Sequence, residues 1–227
     1  MNRFCSAAIL ILMLCAGAVA GAETLTAAET MGGLKDALTQ SSIAAVSKLG
    51  VVNGFLGNPK VKIGLPGPLA KADKLMRMAG MGKKADELVN TMNHAAEQAV
   101  PLAKPLFLDA IKNMNIADAK GILTGGDDAA TQYFKRTTSP ALAAKFLPIV
   151  KQKTDSLKLA KQYDNYASSA AKLGLLSKQT ASVEGYVTQK ALDGLFLIMA
   201  DEERAIRQNP VGAGTSLLQK VFGSLHK

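Results

Sequence analysis

The chain has 227 residues, of which 48% are apolar and 20% are charged, and its formal charge at pH 7 is +9. These proportions are typical of one or two ordinary globular domains, and they exclude a disordered, collagen-like or disulfide-dense protein. They indicate no activity.

The first 22 residues have the pattern of a secretory signal peptide. A short positive start, Met1–Arg3, precedes an unbroken apolar run, Ala7–Leu14, and small residues follow at Ala18–Ala22. The apolar run is far shorter than the ~20 residues that a membrane-spanning helix needs. We therefore predict cleavage near Ala20–Ala22, a periplasmic location, and no transmembrane segment in the mature chain 23–227.

Both cysteines, Cys5 and Cys15, lie in the predicted signal peptide. The mature chain is then expected to have no thiol, which excludes disulfides, thiolate nucleophiles and cysteine-ligated zinc. Lipidation of Cys15 would instead give a lipoprotein. Leu14 argues against this alternative, because such processing requires a small residue at that position.

Helical periodicity begins soon after the predicted cleavage site. The segment Thr26–Glu29 is a capping-box pattern that predicts a helix over 27–49. Residues 51–68 interrupt the periodicity with Asn-Gly, Asn-Pro and two further prolines, so we expect an irregular Pro/Gly loop there. Pro68 then begins a short helix that ends at Gly80.

Further helices are expected to begin near residues 83, 115 and 128, at Ser139–Pro140, and near residues 163, 183 and 215. The spacing of Asn115 and Asp118 predicts a cap for the second of these. Pro101 and Pro105 either kink the first of these or divide it into two helices. The helix 183–207 is apolar on every side at Leu195–Met199, which predicts that it crosses the middle of the fold. With no strand pattern of useful length, the sequence predicts an all-α fold: a single irregular bundle of about eight helices over 23–227.

A basic stretch lies between residues 60 and 84, where Asp73 is the only acidic residue. Its basic residues are Lys60, Lys62, Lys71, Lys74, Arg77, Lys83 and Lys84. They serve solubility or attract an anionic envelope component such as lipid headgroups or polysaccharide. Nucleic acid is not a predicted partner, because the chain has few arginines, no Trp and an export signal.

Motifs for catalysis or metal binding are weak. Gly125–Asp128 is predicted to cap a helix, because its two carboxylates would repel a phosphate. His94 and Glu97 have a spacing that metal sites use, but the chain has only one other histidine, so no metal or cofactor is predicted. Glu203 precedes Arg207 by four residues, which predicts a helical ion pair. No catalytic residue is predicted, and the protein is interpreted as a non-enzyme.

Six ordered segments carry a family resemblance: Gly54–Pro59, Met92–Glu97, Ile122–Phe134, Tyr186–Phe196, Glu202–Arg207 and Lys220–Gly223. They resemble the bacterial family catalogued as domain of unknown function 4197, over about Leu25 to Gly223. The resemblance implies a predominantly helical, exported protein without an established activity. His94 departs from the family pattern, in which arginine is more frequent at that position.

The resemblance also implies which polar residues belong to the family pattern. They are Asn93, Glu97, Asp127, Thr131, Tyr133, Tyr186, Gln189, Asp193, Glu202, Glu203 and Arg207. Either they pair with one another inside the bundle, or they line a pocket between the segment 122–134 and the helix 183–207. Tyr186, Gln189 and Asp193 share one helical face, which is expected to carry polar groups into low-dielectric surroundings.

Three functions follow as alternatives. The first is a non-catalytic periplasmic protein that binds an apolar or amphipathic small molecule between its helices, or an envelope partner. The second is a structural or interaction protein that contacts anionic envelope components through the basic face Lys60–Lys84. The third is an unrecognised hydrolase that uses Asp127, Glu202 or Glu203, which requires these carboxylates to converge in a cleft.

Overall fold

The computed structural model describes residues 26–156, 158, 161, 163, 165, 166, 168, 172 and 183–209. These residues are helical apart from turns and irregular segments and contain no strand, which confirms the all-α class. The helices are α1 (Ala27–Leu49), α2 (Gly67–Met76), α3 (Gly82–Ala99), α4 (Ala103–Lys112), α5 (Ile116–Thr124), α6 (Ala129–Ser156) and α7 (Val183–Gln208). The predicted signal peptide 1–22, the predicted helix near 215 and most of the one near 163 lie outside the described residues.

Helices α2, α3 and α4 follow one another with only short turns between them. A π turn, Arg77–Met81, joins α2 to α3, and a 3-10 turn, Val100–Leu102, joins α3 to α4. Gly80 has a φ of 81°, which glycine adopts without strain, and it bends the chain at the π turn. Pro101 divides α3 from α4, whereas Pro105 lies in the first turn of α4, where a missing N–H is tolerated. The expected count of about eight separate helices is not confirmed.

Two helix starts are formed by the expected capping boxes. At α1, Thr26 Oγ1 accepts a hydrogen bond from the Glu29 N–H at 3.2 Å, and Glu29 Oε2 accepts one from the Thr26 N–H at 2.8 Å. At α5, Asn115 and Asp118 exchange equivalent bonds at 2.9 and 3.3 Å. Both motifs satisfy backbone donors that a helix cannot pair internally.

Helix α6 continues through two internal prolines, so the expected helix start at Ser139–Pro140 is wrong. Its buried residues recur every fourth position on both sides of Pro140. They are Phe134, Thr138, Leu142, Phe146 and Val150. An interior proline costs a helix about 3 kcal/mol, whereas burying one large apolar side chain contributes about 1.5–3 kcal/mol. The continuous buried stripe therefore outweighs the helix-breaking tendency of Pro140.

Helix α7 packs against α1, α3 and α6, as expected for a helix that crosses the middle of the fold. Its Phe196 meets Phe107 of α4 edge to face, with ring centroids 6.2 Å apart, and Phe107 packs against Phe134 of α6 at 5.2 Å. Within the described ranges, none of the helices combines the length and the apolar content required to traverse a bilayer.

The irregular segment between α1 and α2, here called loop 50–66, is confirmed. Its side chains Phe55, Val61 and Ile63 are buried. A Cβ on Gly194 of α7 would lie 2.7 Å from Phe55 Cε1 and 3.1 Å from Val61 Cβ. The loop is thus fitted closely against α7, and Gly194 gives it the room to approach.

Candidate functional site

Glu203 and Arg207 form a buried ion pair where α5, α6 and α7 meet, here called the Glu203 junction. The two residues are 7% and 8% exposed, and Arg207 Nη2 donates to Glu203 Oε1 at 2.9 Å. This confirms the ion pair expected from their spacing. Glu203 also accepts hydrogen bonds from the N–H groups of Ala130 and Thr131, each at 2.8 Å, and from the Thr131 hydroxyl at 2.9 Å.

The pair neutralises two helix ends at once. Glu203 places its carboxylate at the N-terminus of α6, which carries partial positive charge. Arg207 Nη2 donates to the Ile122 carbonyl in the last turn of α5 at 2.8 Å, where the partial charge is negative. The N-terminal cap of α6 therefore comes from α7 and not from the two carboxylates of Gly125–Asp128: Asp127 is exposed, and Asp128 accepts from the Gln132 side chain at 2.9 Å.

The space beside the Glu203 junction is too small for an organic ligand. The cavity measures about 10 Å³ and is bordered by Leu38, Ile122 and Glu203. One water molecule needs roughly that volume. The polar groups at this junction are paired internally.

Asn93 and Glu97, one turn apart on α3, hold loop 50–66 in place. Asn93 accepts from the Ile63 N–H and donates to the Ile63 carbonyl, both at 2.8 Å, as a neighbouring strand would do. Glu97 Oε1 accepts from the N–H groups of Phe55 and Leu56 at 3.0 and 3.1 Å. Its Oε2 lies 2.8 Å from His94 Nδ1. The His94–Glu97 pair thus belongs to a loop anchor, and no group of three or more metal-binding side chains occurs in the described part of the chain.

The polar face of α7 that was expected to be buried is mostly exposed. Gln189 and Asp193 are exposed and bond each other at 2.9 Å, so that expectation is wrong for both. Tyr186 is half-buried and donates to the Gly64 carbonyl at 3.0 Å, and burial raises its pKa. The tyrosine extends the anchoring of loop 50–66 to α7. An open groove of about 230 Å³ beside it is also lined by Lys62 and Lys190.

Tyr133 lines the largest of the described grooves, which measures about 380 Å³ and opens to solvent between α4, α5 and α6. Its hydroxyl donates to the Ala110 carbonyl at 3.1 Å, and burial raises its pKa. Asp109 and Asp118 lie at the groove together with Leu106. Tyr133 and Tyr186 therefore border two separate grooves and do not share an enclosed cavity.

The three carboxylates of the hydrolase alternative point to different places. Glu203 is buried against the start of α6, Glu202 forms an ion pair with Lys48, and Asp127 is exposed in the turn before α6. The arrangement that this alternative requires, a cleft with converging carboxylates, is not formed by these residues.

The seven basic residues of the face Lys60–Lys84 are exposed, but they differ in their partners. Lys60 forms an ion pair with Asp201 at 2.6 Å, which lowers the pKa of that carboxyl group. Arg77 binds Asp86 at 2.7 Å and Asp73 at 2.8 Å. These bonds raise the pKa of Arg77, and its bond to Asp86 lowers the pKa of that carboxyl group.

The remaining basic residues cluster around the bend at the π turn. Lys62 lies within electrostatic range of Asp86. Lys71 and Lys74 of α2 and Lys83 and Lys84 of α3 have no ion pair or side-chain hydrogen bond with any residue in the described ranges. We call these four residues the bend lysines. They leave a local excess of positive charge that the fold does not neutralise.

Two large apolar side chains, which the sequence patterns above did not predict to be functional, are exposed beside the bend lysines. Leu75 is 51% exposed and Met78 is 77% exposed. Their spacing was a usable signal, because Leu69, Ala72 and Met76 define the buried face of α2, whereas Leu75 and, just beyond the end of α2, Met78 lie off that face. The carboxylate partners Asp86 and Asp201 were also missed, since they are distant in sequence from the residues that they pair with.

The fold and these sites define an all-helical protein in which most of the family-pattern polar residues make internal structural bonds. The family model described as "Protein of unknown function (DUF4197)" matches residues 24–223, and the chain belongs to this family. No curated protein and no solved structure matches the chain.

Proposed function

We propose that the protein is exported, loses residues 1–22, and acts without catalysis as a periplasmic protein that docks on an anionic surface of the cell envelope. The docking face is the basic face Lys60–Lys84, centred on the bend lysines. The observation that carries the proposal is the contrast in pairing. Lys60 and Arg77 have carboxylate partners, whereas the four bend lysines have none among the described residues.

The size of the expected attraction supports this function. A Lys or Arg near an anionic lipid surface contributes about 1 kcal/mol of binding free energy at physiological salt. Four clustered lysines are then sufficient for reversible docking, and because their ammonium groups are exposed they approach the surface without breaking internal bonds. Such binding weakens as salt screens the charges.

The test is co-sedimentation of the chain lacking residues 1–22 with vesicles that contain about one third anionic phospholipid. The test variant carries Lys71→Glu, Lys74→Glu, Lys83→Glu and Lys84→Glu. A matched control carries the same charge change on exposed lysines of α4, α5 and α6: Lys104→Glu, Lys120→Glu, Lys135→Glu and Lys145→Glu.

We expect the wild type to bind, the bend variant to bind at least about tenfold more weakly, and the control to stay much closer to the wild type. Binding of the wild type should also fall between 0.1 and 0.5 M salt, as charges are screened over shorter distances. Equal binding by the bend variant and the wild type would refute the proposal.

A second candidate function is supported by the groove beside Tyr133. Its volume, about 380 Å³, is within the range of small-molecule sites, and Leu106 and Ala141 give it apolar surface next to Asp109 and Asp118. An amphipathic small molecule would fit this chemistry. Native mass spectrometry of the purified protein, followed by lipid extraction, tests it: a bound mass lost on Ala141→Phe supports this function, and consistently empty protein contradicts it.

A further inference from the structure

We infer that the surface bound by the basic face is a lipid bilayer, and that Leu75 and Met78 enter it between the anionic headgroups. The inference rests on the proposed function and narrows its partner from any anionic envelope component to lipid. It depends on the apolar side chains at the bend, whereas the proposed function depends only on the lysines.

Helix α2 has one face in the core and one face in solvent. Leu69 and Met76 are fully buried, and Ala72 is nearly so. The solvent face carries Lys71, Lys74 and Leu75, and Met78 at the start of the π turn continues the stripe, at spacings of three, four and seven residues from Lys71. Along this exposed stripe, two cationic side chains are therefore followed by two apolar side chains.

The bend presents this stripe on a firm support. No residue of the π turn Arg77–Met81 is buried, and Met81 packs in part against the core. Arg77 binds Asp73 on α2 and Asp86 on α3, which ties the two sides of the bend together. Tyr166 donates a further hydrogen bond to Asp73 at 3.0 Å. Met78 is thus exposed on a bend whose two sides are tied together.

A bilayer is the anionic partner that can interact with both the lysines and the apolar side chains of the stripe. Polysaccharide offers negative charge but no apolar phase for Leu75 and Met78. At a membrane interface, apolar side chains enter the boundary of the acyl chains while lysines extend their ammonium groups to the headgroups. Charge and apolar burial then act together, which is the pattern of surface-bound amphipathic helices.

The absence of tryptophan from the chain makes a direct test possible. Met78→Trp introduces a single tryptophan at the bend, which can be excited selectively over the four tyrosines of the chain. Ile116→Trp is the matched control, because Ile116 is equally exposed, at 76%, but lies on α5. Each variant, lacking residues 1–22, is titrated with anionic vesicles, with uncharged vesicles, and with anionic vesicles whose acyl chains carry bromine, a short-range quencher.

We expect the emission of Met78→Trp to shift to shorter wavelength on anionic vesicles and to be quenched by the brominated chains, with no change for Ile116→Trp. A second variant, Leu75→Gln with Met78→Gln, should bind anionic vesicles about tenfold more weakly while keeping the salt dependence of the wild type. Uncharged vesicles should produce no shift.

The outcomes separate the inference from the proposed function. Salt-sensitive binding to anionic vesicles without quenching of Met78→Trp would overturn lipid insertion and leave electrostatic docking intact. Full binding by the double Gln variant would overturn it as well. If the wild type binds no anionic vesicle at all, the proposed function fails and the inference fails with it.

Discussion

The Glu203 junction and the bend at the π turn are both rich in charged residues, but the charges are buried and paired at the junction and exposed at the bend. At the junction, a buried carboxylate accepts hydrogen bonds from the start of α6, and a buried guanidinium donates one to the last turn of α5. At the bend, four lysines and two large apolar side chains are exposed. A charge whose bonds are complete inside the protein has a structural role, whereas a charge left open at an exposed bend is available to a partner.

The position of the motif segments supports this distinction. The segments that carry the family resemblance include Glu97, Glu203 and Arg207, which hold the fold together. None of those segments covers 60–91, where the bend lies. The recognisable motifs therefore contain residues that stabilise the fold, and the surface that we propose as functional lies between these motifs in the sequence.

The largest effect is expected from Glu203→Ala at the Glu203 junction. It leaves the buried Arg207 without its carboxylate and removes the acceptor for two N–H groups of α6. Breaking one half of a buried ion pair costs about 3–5 kcal/mol, so the free energy of unfolding in urea should fall by about that amount. Glu202→Ala is the control and should change it by less than about 1 kcal/mol. Similar values for the two variants would remove the structural role assigned to Glu203.

Asn93→Ala should have the next largest effect. The substitution leaves the N–H and the carbonyl of Ile63 without their side-chain partner. Since each buried group left unsatisfied costs about 1–3 kcal/mol, we expect a loss of about 2–4 kcal/mol of unfolding free energy. Asn90→Ala, an exposed change on the same helix, should alter it by about 0.5 kcal/mol or less. An equal loss in both variants would show that the loop anchor contributes nothing.

A smaller, pH-dependent effect on the free energy of unfolding is expected from Tyr166, which donates a hydrogen bond to Asp73 beside the bend. Burial raises the pKa of Tyr166 to about 12, and its hydrogen bond to Asp73 acts in the same direction. The folded protein thus holds this proton more tightly than the unfolded chain, whose tyrosines titrate near pH 10. The contribution is complete below pH 10 and is lost as pH rises towards 12. In urea unfolding, the stability advantage of the wild type over Tyr166→Phe should shrink across that window, and a constant difference would contradict this assignment.

The smallest effect should come from the exposed apolar side chains of the bend. Leu75→Gln and Met78→Gln remove exposed side chains and keep similar helix propensities, so each should change the unfolding free energy by no more than about 0.5 kcal/mol. Thermal unfolding of the single variants checks this. A loss above about 2 kcal/mol would mean that these side chains belong to the core, and the comparison with the Glu203 junction would break down.

Sequence patterns succeeded where the governing interaction is local. The capping boxes at Thr26 and Asn115 and the ion pair from Glu203 to Arg207 involve residues three or four positions apart, and each forms as expected. Long-range packing explains the failure at Pro140, because the core that carries α6 through the proline comes from other helices.

The candidate site could be predicted only in part from the sequence, because some of its contacts are also long-range. The basic residues of the face can be counted in the sequence, but their partners Asp86 and Asp201 are fixed by the tertiary fold. Only those partners show that Lys60 and Arg77 are neutralised while the bend lysines are not. The exposure of Met78 likewise depends on the direction that Gly80 gives to the chain.

Hydrogen exchange of the chain lacking residues 1–22, with and without anionic vesicles, tests most directly which of the two regions meets the envelope. Vesicle binding slows the exchange of amides whose opening it suppresses. Our account predicts slower exchange in peptides that cover 67–84, with peptides that cover 122–134 unchanged. Slowing at 122–134 together with unchanged exchange at the bend would contradict it.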